Sequence, residues 1–341
     1  MKKFVYFLVV LIFIVAVIAI AGYYYGKNLL EQNVEYDTPL IVNIPANTSI
    51  SEAVNIINRK GYLKPSWFFK YAAKYYAKIE NKVIFVGYYK FPTGITKYEM
   101  VQALFDPENL YRESVTFPEG ISYEKFADIL KENLYLDHRE FIRLARSDSL
   151  LDARNIHAKD IQGYLLPDTY TFFVKTSAKK VLDKLLNYQD KVWQQKYKAK
   201  ADSLNMTRHE ILTLASIIEA ETTVPSELKI VSGLYHNRLE KNWLLQADPT
   251  VQYAVGEKKR LLRSDLKKEH PYNTYINPGL PPGPINCPGR AAIEAALDPA
   301  DHNYMFMVAV GDGTGKHNFA RTHSQHLIYV REFRRNYRNE D

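Results

Sequence analysis

The sequence predicts an α+β protein in three parts: an N-terminal membrane-spanning helix, a small β-α-α-β module, and a larger helix-rich domain of mixed α/β character. Three observations carry this reading. Residues 4–25 contain no charged side chain. Between residues 40 and 91 the apolar pattern passes from strand-like to helical and back to strand-like. From about residue 137 the pattern becomes predominantly helical. The expected boundaries are residues 1–25 for a cytoplasmic tip and anchor, 26–38 for a stalk, 39–113 for the module and 114–341 for the large domain.

A chain of 341 residues has room for two domains with their own cores. Its hydrophobic fraction of 46% and charged fraction of 24% are those of a globular protein, and no low-complexity tract interrupts it. The formal charge of +7 comes from basic residues dispersed among acids rather than gathered on one face, which argues against a nucleic-acid partner. The densest basic cluster, Arg331, Arg334, Arg335 and Arg338, falls in an expected C-terminal helix and reads as a solvated face. The single cysteine, Cys287, excludes an internal disulfide and cysteine-based zinc sites.

As a helix, residues 4–25 are about 33 Å long, enough to cross a bilayer core. Lys2 and Lys3 precede the run, and Tyr23, Tyr24 and Tyr25 close it like an interfacial belt. Positive charge before a span holds that end in the cytoplasm, so the body is exported. The rival reading is a cleaved signal peptide, with Ala19-Ile20-Ala21 as the cleavage site, but the apolar run is longer than a signal core. An exported body points to the cell wall and away from nucleotides.

In the module, residues 40–44 suit a strand. Ser49-Ile50-Ser51-Glu52 forms a capping box, and Ile50, Ala53, Val54 and Ile57 follow at helical spacing. Pro65 opens a second helix, with Trp67, Phe68, Tyr71 and Tyr75 on one stripe. Residues 83–91 are rich in β-branched and aromatic side chains and read as the closing strand. A Pro/Gly turn followed by a capped helix recurs at Phe91-Pro92-Thr93-Gly94 and Phe117-Pro118-Glu119-Gly120, as common turn chemistry or a true repeat.

In the large domain, helices are expected over residues 178–202, 208–221 and 226–241. A Pro- and Gly-rich loop covers 248–289. Strands fall at 304–310 and 316–319, and a basic helix follows Thr322. The helix over 208–221 ends at a candidate acid/base, Glu221, which periodicity alone leaves open between a desolvated carboxyl and a solvated charge at a fraying helix end. Ile211, Leu214, Ile217 and Ile218 form one apolar arc, Glu221 falls at its middle, and Glu219 lies nearly opposite. A carboxylate at the end of a buried stripe is desolvated, and a helix C-terminus also disfavours an anion. Both raise its pKa, as a general acid near neutral pH requires.

Five phrases then coincide: Leu214-Ala215-Ser216-Ile217-Ile218-Glu219-Ala220-Glu221-Thr222; Asn237-Arg238-Leu239; Leu245-Gln246-Ala247-Asp248-Pro249-Thr250-Val251; Tyr272-Asn273-Thr274-Tyr275 with Gly279-Leu280-Pro281-Pro282-Gly283 and Pro288-Gly289; and Gly315-Lys316-His317-Asn318-Phe319 with Thr322 and His326. In this order they closely resemble the MltG/YceG family of endolytic murein transglycosylases, over nearly the whole chain. The resemblance implies a lyase that cuts peptidoglycan glycan strands, a LysM-like module before the catalytic domain, and Glu221 as the catalytic residue. It needs no cofactor and no metal. It implies an inner-membrane, single-pass protein whose catalytic domain faces the periplasm, with cell-wall synthases (penicillin-binding proteins) as partners. Two positions depart from the family pattern: Ala220 stands where Lys or Arg is common, and Gln162 where a Glu often precedes the Gly-Tyr loop.

A lytic transglycosylase needs one carboxyl group, whereas ordinary glycosidases need two. Gln246, Thr250, Asn273, Thr274 and Tyr275 supply amides, hydroxyls and a ring in loops that suit a sugar, and Glu219 and Asp248 are further candidate substrate contacts. Asp248 reads either as a helix cap or as a second carboxylate that turns the chemistry toward hydrolysis. His317 and His326 lack metal-ligand spacing and read as structural or substrate-contacting. The competing functions are a peptidoglycan-binding scaffold without catalysis and a muramidase-type hydrolase.

Overall fold

The computed structural model describes residues 2–59, 61–256 and 260–338. The chain divides into two compact units, Met1–Glu113 and Ser114–Asp341. In the first, α1 (Lys2–Glu31) is a single helix about 45 Å long, with a mean hydropathy of 3.3 across its most apolar stretch. Met1 lies outside the described residues.

After α1 come β1 (Asn33–Val34), β2 (Leu40–Ile44), α2 (Ile50–Asn58), α3 (Ser66–Ile79), β3 (Gly87–Phe91), β4 (Ile95–Thr96) and α4 (Lys97–Gln102). The expected β-α-α-β order is present, and β2 and β3 pair antiparallel with Val42 opposite Tyr89. Ser49 caps α2 by accepting from the Glu52 backbone N–H. The core of this unit gathers Ile44, Val54 and Ile57 with Phe69, Tyr89 and Leu104.

Two expectations change here. The closing strand starts at Gly87 rather than 83. Residues 26–38 are not a free stalk: α1 continues to Glu31, Leu29 is buried, and Val34 pairs with Ile95. Leu29 and Val34 supply apolar area that a solvated tether lacks, and the module core takes both in.

The chain leaves this unit along β5 (Arg112–Thr116). The second unit contains α5 (Tyr123–Leu134), α6 (His138–Ala145), α7 (Asp148–Ala153), β6 (Thr169–Phe173), α8 (Ala178–Val192), α9 (Lys198–Ser203), α10 (Arg208–Glu221), α11 (Leu228–Glu240), α12 (Asp248–Val255), α13 (Arg290–Leu297), β7 (Phe306–Ala309), β8 (His317–Ala320) and α14 (His323–Arg338). β5 pairs with β6, and β7 with β8. A π-helical turn, Trp193–Tyr197, joins α8 to α9, so the helix expected over 178–202 is nearly continuous. Arg331, Arg334 and Arg335 are exposed on α14; the Arg338 side chain lies outside the described residues.

Helix α10 is the centre of this unit and packs against α11, α12 and α13. Thr207 caps it in a full capping box with Glu210. Every residue from Ile211 to Ile218 is buried. The single apolar arc expected from the sequence is therefore only part of the picture, because a helix surrounded by partners is buried on all faces. Its polar residues are satisfied inside: Thr213 Oγ1 donates to His209 O at 2.7 Å, and Ser216 Oγ donates to Thr213 O at 2.7 Å. The Ser216 hydroxyl also accepts from Ile285 N at 3.0 Å, and Asn286 Nδ2 donates to Ser216 O at 2.8 Å. The long loop after α12 is thus pinned to α10.

The same loop explains Gln162. Its Nε2 donates to Ile285 O at 2.9 Å, and its Oε1 accepts from Tyr123 N at 3.0 Å. An amide offers both a donor and an acceptor, whereas a carboxylate offers only acceptors. Next to it, Gly163 has a φ of +81°, and a Cβ placed there would lie 2.4 Å from Pro284 Cγ. Gly163→Ala should therefore destabilise the fold by more than the ~1–2 kcal/mol of a left-handed residue alone. The expected outcome is a lower urea midpoint with the slope unchanged, the product of shift and slope exceeding this free energy.

Candidate active site

Helix α10 ends at Glu221, and Thr222 closes it with extended backbone angles. A buried polar clamp holds this end. Thr222 Oγ1 donates to Glu227 Oε2 at 3.3 Å and accepts from Val224 N at 3.1 Å. Glu227, 6% exposed, also accepts from the His317 backbone N–H at 2.8 Å and lies 2.8 Å from His317 Nδ1. His317 therefore ties β8 to the helix end. His326 packs its ring on Phe306, with centroids 5.3 Å apart.

The Glu221 side chain turns inward. Tyr235, fully buried on α11, donates its hydroxyl to Glu221 Oε1 at 2.5 Å. Burial pushes the Glu221 carboxyl up to about 7. The Tyr235 hydrogen bond and the nearby Arg238 guanidinium pull it down, and the charge of Asp248 pushes it further up. Burial wins, so the group stands poised between acid and base near neutral pH. Arg238 is itself held, with Nε and Nη2 donating to Met305 O at 2.9 and 2.7 Å and Nη1 to Leu245 O. Asn237 Nδ2 donates to His302 O at 2.7 Å. The Asn237-Arg238 phrase is thus a brace between α11 and the segment leading into β7.

The remaining candidates separate into two groups. Thr250, Asn273 and Thr274 are buried, at 0%, 0% and 1% exposure, and their polar atoms are engaged within the scaffold. Thr274 Oγ1 lies 2.9 Å from Thr250 Oγ1 and accepts from Ala247 N at 3.0 Å. Asn273 Nδ2 donates to Leu266 O and Lys268 O, and its Oδ1 accepts from Tyr275 N at 2.9 Å. In this structure the three shape the loops, because desolvated amides and hydroxyls must find partners inside.

Gln246, Asp248 and Tyr275 form the group that reaches the surface. Gln246 is exposed with a φ of +48°, and its backbone N–H donates to Thr274 O at 3.1 Å. Tyr275 donates its hydroxyl to Asp248 Oδ1 at 2.5 Å. Asp248 is the first residue of α12, whose N-cap is Ala247, so it is not the cap that the sequence suggested. Residues 248–255 are helical where a loop was expected, because Pro249 at the second position suits a helix start.

Glu219 is partly buried and accepts from Gly289 N at 3.0 Å. Burial raises its pKa, the Gly289 N–H lowers it, and the charge of Glu119 raises it. It lines a cavity of about 520 Å³ with Glu119, Thr223, Gln252, Tyr253 and Asn286. Glu221 is not part of that lining, although Ala220 and Thr223 on either side of it are. The groove runs past the end of α10, and Glu221, half-buried, lies beside it. The Gly289 N–H stabilises the Glu219 anion, whereas burial at Glu221 favours the protonated carboxyl.

Sequence reasoning missed Tyr235 and Glu227. Neither carries a periodic or spacing signal, since a tyrosine inside a helix reads as packing and a glutamate as surface charge. Cys287 is fully buried, and burial pushes its thiol up to about 12, so it stays protonated. Among the described residues, no group of three or more His, Cys, Asp or Glu side chains is arranged to hold a metal ion.

Comparison with known proteins gives a consistent result. Residues 42–332 match the model of the YceG-like family. The chain is 30% identical to the endolytic murein transglycosylase of Bacillus subtilis strain 168, over 86% of this chain and 85% of that protein. It is 26% identical to the endolytic murein transglycosylase of Streptococcus pneumoniae serotype 2 strain D39, over 96% of this chain but 65% of that longer protein. A crystal structure of a yceG-like protein from Listeria monocytogenes superposes with a TM-score of 0.59 at 29% identity, covering 86% of this chain and 99% of that one. With the family model spanning most of its length, this chain belongs to the YceG-like family.

Proposed function

We propose that this chain is a membrane-anchored endolytic peptidoglycan lytic transglycosylase that uses Glu221 as its single acid/base. The observation that carries the proposal is a carboxyl group buried at the end of α10, pushed up to about 7 and held by Tyr235. Protonated Glu221 donates to the oxygen linking N-acetylmuramic acid to N-acetylglucosamine, and the C1–O bond breaks. The carboxylate left behind takes the proton of the muramyl C6 hydroxyl, whose oxygen closes onto C1. The product is a 1,6-anhydro end; the proton returns to Glu221 and no water is consumed. Tyr235 and Arg238 stabilise the anionic stage, so the group is basic only after it has delivered its proton.

Gln246, Asp248, Tyr275 and Glu219 are proposed to contact the sugar, with Thr250, Asn273 and Thr274 positioning them. Asp248 is already engaged by Tyr275, and its negative charge also suits a developing oxocarbenium ion. The β-α-α-β module is proposed to be LysM-like and to bind glycan. Helix α1 is proposed to anchor the chain in the inner membrane with the catalytic unit outside. The folded module begins only a few residues beyond the uncharged run, so the enzyme works near the membrane, on nascent strands beside penicillin-binding synthases.

Glu221→Gln keeps the shape and removes the proton shuttle. It should lower cleavage of purified glycan strands by roughly 10²–10⁴-fold or more, with Glu219→Gln costing far less. Mass spectrometry of the products reads the mechanism at the same time. Anhydro ends support the lyase, and reducing ends that have gained water support a hydrolase.

The same carboxyl predicts a stability effect. Its folded pKa is raised, so it favours the folded state fully below its ordinary value of 4.5 and loses that contribution as pH rises through about 7. The loss amounts to roughly 3 kcal/mol between about pH 5 and pH 8. Chemical denaturation should show wild type weakening over this window and Glu221→Gln remaining flatter. Parallel curves for the two proteins would exclude the desolvated carboxyl.

For the anchor, the mature protein should retain residues 1–25, and a reporter fused at its C-terminus should be exported. N-terminal sequencing that begins near Gly22 would identify a cleaved signal instead.

A further inference from the structure

We propose that the outer face of α3 lies on the headgroup layer of an anionic phospholipid bilayer, beside the point where α1 emerges. This rests on the reading of α1 as the membrane anchor. Trp67, Tyr71 and Tyr75 recur every fourth residue and so share one stripe of the helix. They are 61%, 71% and 69% exposed, and Ile79 continues the stripe at 62%. The opposite stripe, Phe69, Ala73 and Ala77, is buried in the module core. Three large rings exposed side by side on a folded module form a patch that calls for a partner.

The position of the patch selects the partner. The Phe68 ring packs against Gly26, where an added Cβ would lie 3.2 Å from the ring. Gly26 is the last residue before Lys27, the first charge after Lys3, so the start of α3 sits at the level where the span ends. Trp67 packs edge-on against Phe68, with centroids 6.1 Å apart, and is carried to the same level. Between the end of the span and the module lies a cavity of about 900 Å³, lined in part by Gly22, Tyr23, Leu30, Phe68 and Tyr98. Its lining also includes Lys27, Glu31, Glu99 and Gln102, so it is an amphipathic cleft that runs from the span onto the first turn of α3, at the level expected of lipid headgroups.

Charge agrees with position. Lys70, Lys74 and Lys78 repeat with the same four-residue period along one flank of the aromatic stripe. Lysine stems can lie along an apolar surface while their ammonium groups reach lipid phosphates. Aromatic rings at the headgroup level with lysines beside them are the composition of helices that rest in the membrane interface. A glycan strand also stacks on aromatic rings, but it gives no reason for the patch to begin at the exit of the span.

The test uses the full chain in phosphatidylcholine–phosphatidylglycerol nanodiscs containing brominated lipid. The chain has three tryptophans, so Trp67 must be separated from Trp193 and Trp243. Tryptophan emission should be quenched in wild type, and the quenched fraction should vanish in Trp67→Phe. Joint replacement of Lys70, Lys74 and Lys78 by Glu should reduce the quenching, and omission of phosphatidylglycerol should do the same. Quenching that is absent, or that persists in Trp67→Phe, overturns the proposal. So does a Trp67 response to added glycan strands without a response to brominated lipid. Flotation of the full chain with vesicles separates the two readings. A chain that floats without Trp67 quenching keeps its anchor and refutes the docking, whereas a chain that does not float refutes both.

Discussion

Partial desolvation of the Glu221 carboxyl at the end of α10 is the constraint around which the larger unit is arranged. A charged carboxylate in that position is disfavoured, so the site is stable at neutral pH only if groups around it can receive the anion. Tyr235 does so by direct hydrogen bond and Arg238 by charge. Both come from α11, so the orientation of α11 against the end of α10 decides whether the carboxyl is usable. Arg238 is in turn immobilised by the carbonyls of Met305 and Leu245, which extends the requirement to the segments before β7 and α12.

The loops follow the same logic. Polar side chains held at the surface need a fixed backbone beneath them. Thr250, Thr274 and Asn273 provide it by closing their hydrogen bonds internally, which leaves Gln246, Asp248 and Tyr275 at the surface. Ser216 extends the network from the middle of α10 to Ile285 and Asn286, and Gln162 meets the same loop from the other side. One buried helix therefore holds both the Glu221 carboxyl and the loop that walls the neighbouring groove.

The smaller unit is governed by a different requirement. Its helix α1 leaves the apolar run and is at once taken into the module, through Gly26 against Phe68, Leu29 in the core and Val34 in a strand pair. Such a join leaves little free chain between span and module. The exposed rings of α3 begin at that join, which is where a membrane surface can cover them.

Much of this was legible in the sequence because it depends on local rules. The uncharged run marked α1, the cap at Ser49 marked the start of α2, and α10 was bounded at Glu221 as found. The place of Glu221 at the end of α10 was legible from helical periodicity, and the family from the order of its motifs. What the sequence could not supply were the partners across long separations. Periodicity describes one element's faces and says nothing of what covers them, so α10 read as one-sided although it is buried all round. Asn273 and Gln246 look equally like ligands for a sugar until the fold buries one and exposes the other. Tyr235 and Glu227 acquire their roles only when α11 and β8 are brought to the end of α10, because desolvation and hydrogen bonding are properties of the packed structure and not of the residue alone.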